Sequence, residues 1–272
     1  MRLFLVPIST KRVLIYARPL NKDLAKELSI LDRLTTKAAE TWAKWEEANK
    51  GWKMHLVRWG NRVQQRIPYE EWALKSIPSF KTQQRINGDH GKTKIDVLFP
   101  GNAVRLDRIQ DVLRKIATER QELHRKKMIW SLIAAPITAP LGLIPVVPNI
   151  PFFYLAYRGW SHWRALNGSK HLELLVEKNI LNPISLPELE QLYAKRASEG
   201  IPADTSYSEV ADNIEQSEDR VLLKMSDAKK LATILEAPEL ALEAERAIIQ
   251  VREQLEAAAK AKQQEKDEKK NS

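Results

Sequence analysis

A run of thirty residues without a charged side chain, 128–157, constrains this chain more than any other feature of its sequence. In the chain as a whole 29% of residues are charged, so the run stands out from its surroundings. One straight helix of that length would measure about 45 Å, more than the hydrocarbon thickness of about 30 Å. Five prolines interrupt the run: Pro136, Pro140, Pro145, Pro148 and Pro151. Because each proline removes an amide donor and disfavours helix in the residue before it, we expect a bend.

The crowding of prolines in the second half of the run predicts a membrane hairpin. Its bend is predicted at four residues: Pro145, Pro148, Asn149 and Pro151. Their spacing leaves no room for a regular helical turn between them. Two alternatives stay open, namely one membrane-spanning helix from about Met128 to Ile144 and a buried apolar core in a soluble protein. Charge-free stretches of this length are scarce in soluble domains, which favours the membrane.

Both flanks of the run carry cationic and aromatic side chains of the kind that settle at the level of lipid headgroups. Because the two flanks are alike, the distribution of Lys and Arg does not orient a single span, whereas a hairpin would bring both flanks to one membrane surface. The predicted interface anchors are Arg125, Lys126, Lys127, Trp130, Tyr154, Tyr157, Arg158 and Trp160.

The net charge of +9 is concentrated ahead of the run. Residues 1–127 contain 27 Lys and Arg against 14 Asp and Glu, whereas residues 158–272 contain 17 against 21. A basic region beside a membrane segment suits an anionic lipid surface, to which each cation contributes about 1 kcal/mol. Nucleic acid is the competing partner, but no helix-turn-helix, zinc-finger or RNA-binding motif accompanies the charge. We therefore predict an anionic lipid membrane as partner and no nucleic acid.

The residues that carry most enzyme chemistry do not form a recognisable pattern. The absence of cysteine excludes disulfides, thiolate metal sites and cysteine nucleophiles. The histidines are His55, His90, His124, His162 and His171. They lack the i,i+4 spacing that binds zinc from one helix, and Ile86 stands where a phosphate-binding loop ending in Gly91-Lys92-Thr93 would require glycine. The sequence predicts no enzyme, no cofactor and no metal site.

The N-terminal region is basic and apolar. No acidic residue precedes Asp23, which is a weak indication of a mitochondrial targeting signal. Two apolar segments, Leu3–Ile8 and Arg12–Ala17, flank a polar turn and predict a β-hairpin. Ile95–Phe99 is predicted as a third strand beside that hairpin.

A heptad pattern of apolar residues from Leu24 to Val63 predicts a long helix. Four tryptophans occupy its apolar stripe: Trp42, Trp45, Trp52 and Trp59. The seam of a two-stranded coiled coil prefers Leu, Ile or Val. The tryptophans therefore indicate that the stripe packs against a surface less regular than a second, matching helix. The surface is the second helix of this chain, a partner protein or a bilayer interface. Packing within the chain is favoured, since core is the usual fate of an apolar stripe.

These features together predict a mainly α fold, with long helices around a Pro-rich membrane hairpin and a small N-terminal β-hairpin. The predicted regions are a β-hairpin at 1–20, a basic helical region at 21–127 with a loop at 67–103, a membrane hairpin or single span at 128–157, a C-terminal helical region at 158–259 and a disordered tail at 260–272. After the tryptophan helix, helices are predicted at 69–76, 104–127, 160–178, 187–197, 228–235 and 239–259.

Two segments of the chain resemble the fungal family of mitochondrial potassium–proton exchange-related proteins. They are RLFLVPISTKR at 2–12 and, more specifically, LIPVVPNIPFFYLAYRGWSHWRALNGSKHLELL at 143–175. The resemblance spans roughly residues 1–255. It implies residence in the inner mitochondrial membrane and a role as component or regulator of potassium–proton exchange and matrix volume control.

The resemblance does not imply that the protein is itself the exchanger. Membrane segments that carry ions usually keep charged side chains at depth, and residues 128–157 contain none. The alternative function is a membrane-anchored scaffold that holds a protein partner, or a second copy of the chain, without a role in ion transport.

Overall fold

The computed structural model of the chain describes residues 1–18, 66–80, 94–140, 149–197 and 218–271. Contacts group the chain into two units, Met1–Arg18 with Tyr69–Ser272 and, separately, Pro19–Pro68. All strands and helices described belong to the first unit. The predicted tryptophan helix and the predicted bend residues Pro145 and Pro148 lie outside the described residues.

The predicted N-terminal β-hairpin is confirmed. Strand β1 (Arg2–Pro7) pairs antiparallel with β2 (Val13–Arg18), with Arg2 opposite Arg18 and Pro7 opposite Val13. The turn closes where the Ile8 amide donates to the Arg12 carbonyl at 2.8 Å. Apolar, β-branched and aromatic residues fill both strands, as expected of strands buried on both faces.

The sheet is larger than the sequence predicted. The predicted third strand, β3 (Ile95–Phe99), is confirmed and pairs parallel with β1. A fourth strand that was not predicted, β4 (Leu181–Ser185), pairs parallel with β3, giving the order β2-β1-β3-β4. Pro183 hides β4 in the sequence, because proline within an apolar run argues against a strand; it is tolerated here at the edge of the sheet.

The described residues also form helices, which confirms the mainly helical prediction in outline. They are α1 (Tyr69–Ser76), α2 (Ile109–Thr118), α3 (Gln121–Thr138), α4 (Ile150–Glu177), α5 (Pro187–Ala197), α6 (Met225–Ile234) and α7 (Pro238–Asn271). The bounds predicted for α1 and α5 are confirmed to the residue.

The single helix predicted over 104–127 is wrong. The chain forms turns after Pro100, α2 begins only at Ile109, and a break at Glu119 and Arg120 separates α2 from α3. Leu106, which fitted the predicted apolar stripe, is 62% exposed. At the break, the guanidinium of Arg120 forms an ion pair with the carboxylate of Glu70 on α1, at 2.8 Å.

The last helix is longer than predicted. Helix α7 continues to Asn271, through residues for which the charge pattern predicted a disordered tail. Ion pairs at i,i+4 spacing, such as Lys269 with Glu265 at 2.7 Å, support a helix made of good helix formers. Its first half packs on α6 and buries Leu240, Ala244 and Ile248 in the core.

Helix α1 connects the sheet to the long helix α4. On one side Trp72 stacks on Tyr16 of β2, with ring centroids 5.8 Å apart. On the other side α1 packs so closely on α4 that a Cβ at Gly168 would lie 2.0 Å from the Leu74 carbonyl oxygen. Only glycine allows this approach. It brings the side chain of Glu71 against α4.

Helices α3 and α4 lie side by side and run in opposite directions, and we call them the α3–α4 pair. Near one end His124 contacts His162, and near the other the Asn149 side chain donates to the Thr138 and Ala139 carbonyls at 2.8 and 3.1 Å. Asn149 also caps α4, where its side chain accepts from the Phe152 amide. The chain has therefore reversed direction by Asn149.

Candidate functional site

A cluster of buried polar side chains lies where α1 meets the α3–α4 pair. Its members are Glu71 of α1, His124 of α3, and Arg158, Ser161 and His162 of α4. We call it the root cluster, because it stands at the base of the two helices that contain the charge-free run. Buried ionisable groups of this density are expensive to form and cluster at functional sites.

Glu71 is the anionic centre of the root cluster. Arg158 donates to its two carboxylate oxygens at 2.8 and 3.0 Å, and the Ser161 hydroxyl donates at 2.6 Å. Burial by itself raises the pKa of Glu71, but the hydrogen bonds from Arg158 and Ser161 and the positive charge of Lys75 outweigh it. The net pKa lies below its ordinary value, so Glu71 is ionised at neutral pH.

The two histidines form a directed hydrogen-bond chain. Arg158 can only donate, so Nε2 of His162, 2.9 Å from its Nη2, accepts and Nδ1 carries the hydrogen. Nδ1 of His162 donates that hydrogen to Nδ1 of His124, with 3.1 Å between the two nitrogens, which leaves the hydrogen of His124 on Nε2. Nε2 of His124 is buried and has no hydrogen-bond partner among the described residues. The chain runs from Arg158 through His162 and ends at this unsatisfied donor.

Both histidines are neutral at neutral pH. Burial is the main cause that lowers the pKa of each to about 4. The negative charge of Glu71 acts in the opposite direction, and the positive charges of Arg158 and Lys127 lower the pKa further. The pair is therefore kept uncharged by its surroundings, as its hydrogen bonds require.

Lys75 extends the root cluster towards α7. Its Nζ donates to the Ser161 hydroxyl at 2.9 Å and lies 3.9 Å from Glu71. Burial lowers the pKa of Lys75, while Glu71 and Glu243 act to raise it. Glu243 is itself buried and pairs with Arg246 at 2.7 Å. A series of alternating charges therefore joins α4, α1 and α7.

The root cluster does not suit a metal ion. Among the described residues, Glu71, His124 and His162 form the one group whose donor atoms all lie within 4.8 Å of one another. A metal on Nδ1 of His162 would put the hydrogen on Nε2, facing the N–H groups of Arg158 at 2.9 Å. Metal-bound histidines direct that second nitrogen at an acceptor instead. Arg158 also occupies both oxygens of Glu71, so a cation would have to displace it.

Above the root cluster the α3–α4 pair packs through small side chains. Ser131 and Ala135 of α3 are buried, and Gly159 of α4 lies against Ser131 and Leu132. The large apolar side chains point outwards. Those exposed on the two helices within the charge-free run are Ile129, Trp130, Leu132, Ile133, Ile137, Phe153, Tyr154 and Tyr157.

The predicted anchors divide into two groups. Arg125, Lys126, Lys127, Trp130, Tyr154 and Tyr157 are exposed, and Trp160 is half-buried. Arg158 instead turns inward and is held by Glu71. Of the predicted bend residues, Asn149 ties the two helices together and Pro151 lies exposed in the first turn of α4. None of the helices within the described ranges combines the length and apolar character that a membrane crossing requires.

Sequence reasoning missed the root cluster. The contacts within the cluster join residues 38 to 91 positions apart in all but one case, so no local motif predicts them. The exception is the i,i+4 spacing of Arg158 and His162, which places both on one face of α4. The signal available in the sequence was Arg158, a charged side chain immediately after the apolar run.

Comparison with known proteins places the chain in a family, and the root cluster lies within the matched residues. Residues 2–176 match a protein family described as mitochondrial K⁺–H⁺ exchange-related. An uncharacterised protein of Schizosaccharomyces pombe is 30% identical over 192 residues, which cover 71% of this chain and 81% of that protein. An uncharacterised protein of Saccharomyces cerevisiae is 27% identical over 201 residues, 65% of this chain and 63% of that protein. No solved structure matches. The chain belongs to the mitochondrial K⁺–H⁺ exchange-related family.

Proposed function

We propose that this protein acts at the inner mitochondrial membrane as a component or regulator of potassium–proton exchange, and thereby in matrix volume control. Membership of the mitochondrial K⁺–H⁺ exchange-related family is the observation that carries the proposal. The role is not enzymatic. Its partners are an anionic lipid membrane and a further protein or a second copy of the chain.

The outer surface of the α3–α4 pair supports attachment to lipid. The exposed apolar residues of the two helices form a surface with no charge between Met128 and Tyr157. An apolar surface of this kind on a soluble protein marks an interaction site or an aggregation hazard. Lys126 and Lys127 are exposed at the base of the surface. Their positive charges would be attracted to an anionic leaflet.

The dimensions of the α3–α4 pair suit one leaflet. From Met128 to Thr138, α3 extends about 16 Å at about 1.5 Å per residue, half of the hydrocarbon thickness of about 30 Å. Because α4 runs back alongside α3 from Asn149 onwards, the chain returns towards the side from which α3 began. The contact of the two helices through Ser131, Ala135 and Gly159 resembles the small-residue packing of helices in lipid.

The charges of the root cluster favour a supporting role over that of the ion path. At neutral pH Arg158 and Lys75 together outweigh Glu71, so the interior at the base of the pair is net positive and repels potassium. No charged group lies within residues 128–157 to carry a cation through lipid. These features suit a component or regulator whose ion pathway lies in another protein.

Swelling of isolated mitochondria in potassium acetate tests the proposal. Acetic acid carries protons into the matrix, and swelling continues only if potassium enters in exchange for them. Mitochondria from cells that lack the protein should therefore swell more slowly, and expression of the full chain should restore the rate.

Ammonium acetate provides the matched control, because ammonia and acetic acid cross the membrane without an exchanger. Swelling in ammonium acetate should be unchanged by the deletion. Equal rates in potassium acetate with and without the protein would contradict the role in exchange. If carbonate-resistant membrane attachment persisted in that case, the scaffold alternative would take its place.

A further inference from the structure

We propose that the pair of His124 and His162 is a proton-operated joint: uptake of one proton by the pair breaks a contact that holds α3 against α4 or α4 against α1. All four ring nitrogens are accounted for in the neutral state. Nδ1 of His124 and Nε2 of His162 accept hydrogen bonds, and the other two nitrogens carry hydrogens. No lone pair is left for a further proton.

An added proton must therefore displace a hydrogen bond. On Nδ1 of His124 it would face the N–H of His162, whose Nδ1 is 3.1 Å away, and would separate the two helices of the α3–α4 pair. On Nε2 of His162 it would face the Arg158 guanidinium at 2.9 Å and loosen the attachment of α4 to Glu71. In either place the charge would enter an interior that is already net positive.

The charged groups around the pair come from each element packed on it. They are Glu71 and Lys75 on α1, Arg120 ahead of α3, Lys127 on α3 and Arg158 on α4. Glu243 and Arg246 of α7 face Lys75. Only Glu71 favours the proton, and Arg158 already neutralises it. The closed joint therefore excludes the proton. In an opened joint a histidine would bind it with the ordinary histidine pKa of about 6.5.

The unsatisfied Nε2 of His124 is independent support for a joint that opens. A buried donor without a partner makes the closed contact less stable than its packing alone would give. If His124 served only to fill space between the helices, an apolar side chain would serve as well. The joint would act whether or not the α3–α4 pair enters a membrane, so its failure would leave the proposed function untouched.

Amide hydrogen exchange of α3, measured on the full chain from pH 7.5 to 4 and divided by the rate of unstructured peptide, tests the joint. Protection of residues 121–138 should fall about tenfold per pH unit between pH 6.5 and 4, because opening takes up one proton. In the double variant His124→Asn with His162→Gln, amide oxygens take the two accepting positions without titrating. Its protection should not change between pH 6.5 and 5, above the range in which Glu71 is protonated on opening.

The variant His171→Asn is the matched control, since His171 is a third buried histidine whose Nδ1 lies 2.6 Å from the Pro78 carbonyl oxygen, away from the joint. It should keep the pH dependence of the wild type. Equal dependence in the wild type and the double variant, or none in the wild type, would overturn the proposal. If the double variant does not fold, imidazole ¹⁵N shifts of the wild type decide: a first protonation near pH 4 supports the joint, and separate titrations near pH 6.5 refute it.

Discussion

The guanidinium of Arg158 binds both carboxylate oxygens of Glu71, at 2.8 and 3.0 Å, in an interior where the two side chains are 13% and 2% exposed. This ion pair connects α4 to α1, and α1 in turn packs on strand β2 of the sheet. The α3–α4 pair is therefore fixed to the body of the protein through a charge contact beside its apolar part.

Removal of the anion from this contact should be costly. The substitution Glu71→Gln leaves Arg158 and Lys75 buried without a negative charge, so the free energy of unfolding in urea should fall by about 3 kcal/mol. The control Glu122→Gln breaks an exposed pair with Lys126 and should cost less than about 1 kcal/mol. Similar losses for the two variants would show that the buried pair does not hold the fold.

Removal of the cation should change the titration of its neighbour. In Arg158→Gln, His162 loses the positive charge that lowers its pKa and stays 3.7 Å from the freed carboxylate of Glu71. The pKa of His162 should therefore rise from about 4 towards 6.5, which ¹⁵N shifts of the imidazole would record. A value that stays near 4 would mean that burial alone sets it.

The root cluster should make the protein less stable in acid for two reasons. The folded-state pKa of His124 and His162 lies below that of the unfolded chain, so stability is complete above pH 6.5 and falls towards pH 4 by at most about 1.4 kcal/mol per pH unit for each of the two histidines. The lowered pKa of Glu71 adds a loss that begins below pH 4.5. Urea midpoints at a series of pH values measure both. A midpoint that is constant from pH 7 to 5 would contradict the first.

The close approach of α1 and α4 predicts a difference between two glycines. In Gly168→Ala the new Cβ would meet the Leu74 carbonyl at 2.0 Å, so the helices must move apart at a cost of about 3 kcal/mol. In Gly159→Ala the nearest atom is the end of the flexible Leu132 side chain at 3.1 Å. That variant should lose less than about 1 kcal/mol in thermal unfolding. A loss of stability in Gly159→Ala as large as that in Gly168→Ala would contradict the prediction.

The apolar surface of the α3–α4 pair should govern lipid binding. Charged residues in the double variant Ile133→Asp with Ile137→Asp should abolish flotation with phosphatidylcholine vesicles that contain an anionic phospholipid. Leu242→Asp, which alters an exposed apolar residue of α7, should float like the wild type. Replacing Lys126 with Glu should weaken binding to the anionic vesicles by about fivefold or more and leave neutral vesicles unaffected.

The sequence was sufficient for elements with a strong local pattern. The β-hairpin of β1 and β2 follows from two apolar segments around a polar turn, and α5 follows from Pro187 at its first position. Strand β4 was missed because Pro183 belongs to an edge strand, a position that only the completed sheet defines.

The root cluster could not be predicted for a related reason. Glu71 and Arg158 are 87 residues apart, and it is the approach of α1 to Gly168 that brings them together. Arg158 was predicted to face headgroups because it follows an apolar run, but the carboxylate of Glu71 holds it inside. Long-range pairing of charges depends on the fold, whereas the apolar run itself is a local property.

Depth of the α3–α4 pair in lipid is the most direct test of the central claim, and the absence of cysteine makes it simple. A spin label attached through Ile137→Cys, with vesicles of phosphatidylcholine and an anionic phospholipid, should become accessible to oxygen and shielded from a polar nickel chelate, as expected near the bilayer centre. A label attached through Leu242→Cys should stay accessible to nickel. If the label at position 137 is as accessible to nickel with vesicles as without them, the pair does not enter the membrane.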